Sequence, residues 1–147
     1  MSKIKSIVSK LRSEASPQKV EEAILSFLKE DEATLLDINI KQMDAGEDSK
    51  GKKIKPPYTE RTKEIKKFKG QPTDRVTLED EGDFKRRTYL EADQFPIFFR
   101  SADWKEPKLV EKYGEDIFGI QKKNLKSYTK EELKSQIFEW LKSLIRL

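Results

Sequence analysis

Residues Tyr58–Phe84 read YTERTKEIKKFKGQPTDRVTLEDEGDF, and the local rule changes more than once within them. Thr59 is placed to N-cap a short basic helix, with Ile65 and Phe68 three apart on one face and Lys63, Lys66, Lys67 and Lys69 on the rest. Gly70 is where that helix stops. Gln71-Pro72-Thr73-Asp74 is a turn, because proline fixes φ and pushes its predecessor out of helical space. Arg75-Val76-Thr77-Leu78 is a β-prone run, and Glu79-Asp80-Glu81-Gly82-Asp83 gathers four carboxylates around one glycine before the apolar anchor Phe84.

Towards the N-terminus, Ile4, Ile7, Val8 and Leu11 recur at helical spacing among lysines, so residues 1–15 form a basic amphipathic terminal helix. Such a helix touches a membrane or an acidic partner, or more commonly lies on its own domain. Ser16-Pro17 is a helix start, followed by the stripe Val20, Ala23, Ile24, Phe27 and Leu28. Leu35, Leu36, Ile38 and Ile40 fit helix in part and strand in part, and helix is the reading for Asp31–Met43. Residues 44–57 are an exposed loop, polar and glycine-containing up to Lys53 and extended at Pro56-Pro57. The spacing of a calcium-binding EF-hand loop is absent there, so no metal site is expected.

Towards the C-terminus, Lys85–Glu91 and Phe95–Ser101 read as an antiparallel hairpin around Ala92-Asp93-Gln94. Leu109, Val110 and Tyr113 predict a short helix ending at Gly114, and Ile117-Phe118-Gly119-Ile120 a compact apolar plug. Thr129-Lys130-Glu131-Glu132 has the form of a capping box, with Tyr128 and Leu133 as its hydrophobic staple, opening a last helix through Ile137, Trp140, Leu141 and Leu144. The expected fold is α+β, a single domain over 1–147. Its N- and C-terminal helices pack on a small antiparallel β-sheet containing Leu90 and Phe98, with long exposed loops.

Composition narrows the chemistry. The chain has no cysteine and no histidine, which removes disulfides, thiolate chemistry and the commonest general base and metal ligand. Glu79, Asp80, Glu81 and Asp83 share a polar turn, whereas a catalytic acid needs an apolar pocket to raise its pKa. No phosphate-cradling or dinucleotide motif is present, so the chain reads as a non-enzyme without cofactor. No apolar run approaches the roughly 20 residues of a membrane span.

The formal net charge of +4 hides two blocks. Glu14–Asp48 carries ten acidic against three basic residues, net −7, and Lys50–Gly70 nine basic against two acidic, net +7. Blocks of opposite sign pair within a monomer or between copies, or are simply solvated. The basic block, with Tyr58 and Phe68 interleaved, also raises a second reading, a small basic nucleic-acid-binding protein acting through residues 50–70.

The order of motifs resembles the tail-completion or head-tail joining (neck) proteins of tailed bacteriophages, including the virion-morphogenesis proteins of Mu-like phages. Tyr58, Thr62 and Lys66 match that family's aromatic residue and Thr-x-x-x-Lys helix. Asp80-Glu81-Gly82-Asp83-Phe84 matches its Asp-Thr-Gly-x-Leu turn, with Glu81 in place of threonine and Phe84 in place of leucine, and Arg87 stands where serine is common. Tyr113-Gly114 and Phe118-Gly119 are similar to the elements that close its domain. The resemblance implies a small α+β subunit without catalysis or cofactor. It implies a homo-oligomeric ring in the virion neck or at the tail end, made in the host cytoplasm and touching connector or tail-tube proteins. The candidate interaction residues are Tyr58, Thr62, Lys66, Lys67, Lys69, Asp80, Gly82, Phe84, Tyr113 and Gly119.

Overall fold

The computed structural model describes residues 2–146. Helix α1 (Lys3–Glu14) is capped by Ser2, whose Oγ accepts from the Lys5 amide at 3.2 Å. Helix α2 (Pro17–Glu30) is capped by Ser16 with proline in its first turn, and the chain turns at Asp31 into α3 (Glu32–Asp44). Helix α4 (Glu60–Phe68) follows the loop, a single turn α5 (Asp83–Arg86) starts at Gly82, and strands β1 (Thr88–Glu91) and β2 (Phe98–Ser101) form the hairpin. Helix α6 (Glu106–Tyr113), a 3-10 turn (Glu115–Ile117), α7 (Lys122–Tyr128), a π-turn (Thr129–Leu133) and α8 (Lys134–Ile145) complete the chain. Helices surround one two-stranded antiparallel sheet, an α+β architecture.

The sheet pairs Leu90 with Phe99, and both are buried, while Phe98 lies in β2 as expected but is 51% exposed. Its outer backbone groups are bonded by side chains: the Leu90 amide donates to Glu32 Oε2 at 3.3 Å and the Ser101 amide to Glu106 Oε2 at 2.5 Å. Helix α3 covers β1, and Leu28 of α2 joins Leu35, Leu90, Ala92, Phe99 and Tyr128 in a first core cluster. Met43, Ile54, Val76, Leu78, Phe84 and Ile117 form a second, and Phe118 packs against both.

Three expectations change. The last helix does not start at a capping box: Thr129 has helical φ −59° and ψ −44°, and the helix is already running from Lys122. An N-cap needs an extended residue, which is Gln121 at φ −61° and ψ 145°. Second, α8 packs on α1 and α2 rather than on the sheet. The rod reaches the first cluster only at its start, through Tyr128 and Leu133, and there the Tyr128 hydroxyl donates to Asp31 Oδ2 at 2.7 Å. Burial, and then the Asp31 carboxylate, push the Tyr128 phenol pKa above its ordinary value. Third, Arg75–Leu78 pairs with no strand among the described residues. Leu78 sits in the left-handed region at φ 58°, which breaks an extended run, and the Thr77 amide donates to the Tyr58 hydroxyl at 3.0 Å.

The loop 44–57 is exposed at Lys50–Lys53 as expected, but Gly46 and Ile54 are buried. Its tip is closed by the Asp48 amide donating to the Lys52 carbonyl at 2.8 Å and the Ile54 amide to the Gly46 carbonyl at 2.9 Å.

Two buried amides of α3 stitch the segment 117–121 in place. Asn39 donates to the Ile117 carbonyl at 3.1 Å and accepts from the Gly119 amide at 3.3 Å. Gln42 donates to the Gly119 carbonyl at 2.9 Å and accepts from the Gln121 amide and Asn124 Nδ2, each at 3.0 Å. Gly119 has φ +118°, and an added Cβ would meet Ser49 Cβ at 3.1 Å, so this run needs glycine on both counts.

In guanidinium unfolding, Leu35→Ala and Ile117→Ala are each expected to lose about 2–5 kcal/mol. Asn39→Ala, which orphans the buried Ile117 carbonyl and the part-buried Gly119 amide, should lose about 1–3 kcal/mol. Trp140→Ala, at a half-buried position, should fall below the core pair.

Candidate interaction site

Thr59 caps α4 as its spacing predicts, its Oγ1 accepting from the Thr62 amide at 3.2 Å. The face the helix turns inward is not the apolar one. Lys66 is buried, whereas Phe68 is 94% exposed and Ile65 is only half covered. A short helix beside a loop rich in carbonyls needs donors on its inner face, and lysine buries its stem while its ammonium reaches one. The Lys66 ammonium donates to the Glu79 carbonyl and lies 5.3 Å from the centre of the Tyr58 ring.

The next helical turn repeats the device. Lys69 pairs with Asp80, and Lys105, arriving from just before α6, reaches the other carboxylate oxygen at 3.2 Å. Gln71 Nε2 donates to the Asp80 carbonyl at 2.7 Å. The two lysines, Lys69 first, hold the Asp80 carboxyl below its ordinary pKa, and Asp80 in turn raises that of Lys105. A carboxylate held ionised in this way serves as a clamp, the reverse of what a general acid requires.

After the clamp the chain reverses at Gly82, φ 87°, where a Cβ would come within 3.1 Å of the Arg86 guanidinium. That reversal drops Phe84 into the second cluster, its ring 5.7 Å from Phe118, and the Phe84 carbonyl accepts from Ser101 Oγ at 2.8 Å. Tyr113 and Leu109 of α6 close the far wall. The result is a cleft of about 250 Å³ between α4, the acidic turn and α6.

Of the ten candidate residues, Tyr58, Thr62, Lys66, Asp80, Gly82, Phe84 and Tyr113 line this cleft. Lys69 sits beside it through its bond to Asp80, and Lys67 is exposed with no ion pair among the described residues. Gly119 is not part of it; it belongs to the run held by Asn39 and Gln42. Two residues went unread. Lys105 lies 25 positions from its partner, beyond any local pattern. Trp104, next to Lys105 but not lining the cleft, is 69% exposed with the ammonium groups of Lys105 and Lys108 at 5.8 and 5.5 Å from its ring.

The two charge blocks do not neutralise one another. Lys50 pairs with Asp116 at 3.2 Å, Lys63 with Glu60 at 3.4 Å, and Asp44 with Lys85, so no ion pair joins the blocks among the described residues. No helix among these residues is long and apolar enough to cross a membrane.

Because Asp80 has a lowered folded-state pKa, its contribution is present above its unfolded value of about 3.9 and is lost as pH falls through the folded value. Thermal unfolding of wild type against Asp80→Asn between pH 2 and 6 should show the difference vanishing at the acid end. Its size at pH 6 should be at most about 1 kcal/mol, since the groups are partly solvated.

Compared with known protein families, with curated proteins and with solved structures, the chain matches none.

Proposed function

We propose that this chain is a structural subunit of a tailed-bacteriophage virion, a neck or tail-completion protein that acts as a ring of identical copies and carries out no catalysis. The observation that supports this reading is the convergence of seven motif residues, from Tyr58 to Tyr113, on one cleft. Their order alone carried the resemblance, and nothing in the order requires them to meet.

The departures from the family's pattern are physically mild. Phe84, in place of leucine, is buried in the second cluster and fills an apolar position as leucine would. Glu81 and Arg87, in place of threonine and serine, are exposed. The charge blocks, which no ion pair joins to one another among the described residues, also favour assembly, because surfaces of opposite sign on a subunit orient its neighbour. A second reading, nucleic-acid binding, draws on Lys52, Lys53, Lys55, Arg61 and Lys67, which are exposed and without ion pairs among the described residues. It is weakened by the commitment of Lys66 and Lys69 to the acidic turn and by the carboxylates beside them.

Cross-linking and mass spectrometry of purified particles should find the chain in the virion, cross-linked to itself. DNA binding by the purified protein should be weak at 150 mM salt. Absence from particles together with tight binding that falls steeply with salt would replace the structural reading with the nucleic-acid one.

A further inference from the structure

The loop 44–57, α4 and the segment 73–76 enclose a pocket of about 370 Å³. Its apolar lining includes Pro57 and the buried Ile54 and Val76. Tyr58 is the wall it shares with the cleft described above, and Lys66 lines the cleft only. The charged residues around the pocket are Lys53, Lys55, Lys63, Arg75 and Asp74, four cations to one carboxylate, net +3.

Little of this positive charge is used within the fold. Lys53 and Lys55 are exposed and make no ion pair among the described residues. Lys63 reaches Glu60 at 3.4 Å, but that carboxylate is 90% exposed and lies outside the lining, so the contact is weak. Arg75 pairs with Asp74 through Nη1 at 2.8 Å and donates from Nε to the Asp44 carbonyl at 2.7 Å, which leaves Nη2 without a hydrogen bond among the described residues. The Arg75 side chain also lies across Gly46, φ +72°, where an added Cβ would come within 2.7 Å of Arg75 Cβ. These contacts fix the guanidinium before any ligand arrives.

Like charges gathered on a concave surface focus the local potential, and an anion entering it relieves their repulsion. We propose that this pocket binds a compact phosphate anion of the pyrophosphate class, either free or as the diphosphate end of an ester. The free side of the Arg75 guanidinium presents a planar fork to phosphate oxygens, and Lys53, Lys55 and Lys63 close on the anion as point charges from the rim. Two phosphoryl groups answer a net +3 more fully than one, which carries about −1.5 to −2. The inference rests on neither reading of the whole chain.

Isothermal titration calorimetry of the full chain at physiological ionic strength, where charges more than about 8 Å apart are screened, tests this with inorganic pyrophosphate, ADP and a thymidine oligonucleotide. Pyrophosphate should bind at one site per chain, and Lys53→Gln and Lys55→Gln should each weaken it about fivefold. Lys52→Gln and Lys67→Gln remove the same charge outside the lining and should leave the affinity within about twofold. All four positions are exposed, and thermal melting checks that each variant folds. ADP binding that weakens with the same two pocket variants supports the site and assigns it to an ester; pyrophosphate binding without ADP binding supports it as a site for the free anion. Absence of pyrophosphate binding overturns the proposal, and so does an equal loss in all four variants, which marks a diffuse basic surface. An oligonucleotide that binds more tightly than pyrophosphate and responds equally to Lys52→Gln and Lys53→Gln overturns it as well. Finding the chain in virions or not bears on none of these outcomes, so the two readings fail separately.

Discussion

Buried amide groups on one helix hold this domain together. Asn39 and Gln42 are 2% and 5% exposed, and between them they bond the backbone at Ile117, Gly119 and Gln121. That run belongs to no strand, so without these side chains its buried polar groups at Ile117 and Gln121, and the part-buried ones at Gly119, would be orphaned. With them, an irregular segment crosses the interior. Phe118 can then face both clusters, and the sheet core and the acidic-turn core become one body.

The cleft depends on the same kind of compensation, moved to the surface of α4. A left-handed Leu78 and a reversal at Gly82 bring the chain past the helix in no regular structure, so its carbonyls at Glu79 and Asp80 need donors from elsewhere. Lys66 and Gln71 supply them, and the doubly paired Asp80 ties in the segment before α6. The molecule thus spends its inward-facing lysines on its own loop, while Ile65 stays half exposed at the cleft and Phe68 is turned out to solvent.

The sequence made several elements legible because each rests on a local rule. Ser16-Pro17, Thr59 and the plug at Ile117 are set by neighbouring residues and stand where that logic puts them; the hairpin forms too, but only over Thr88–Glu91 and Phe98–Ser101, because Lys85 and Arg86 of the expected first strand belong to the helical turn α5. Spacing grouped Ile65 and Phe68 on one face of α4 but could not say which face turns inward, because the inner surface is polar and Lys66 takes it. In α3 the apolar spacing led to the helix that is there, but not to all of its buried face. Its buried positions are Leu35, Asn39, Gln42 and Met43, and a count of apolar residues finds Leu35 but cannot find the two amides. Thr129–Glu132 satisfied a capping pattern but lies inside a helix already held by the Tyr128–Asp31 bond, a contact between distant residues. The cleft itself was legible only as an ordered series of motifs; that they meet depends on Lys105 and Tyr113, supplied from another part of the chain.

Helices α1 and α8 contain no fully buried side chain, yet they pack on one another. Contact between half-buried surfaces is shallow, so of all the helix layers this one exposes the least apolar surface when it opens, and its opening leaves both cores closed.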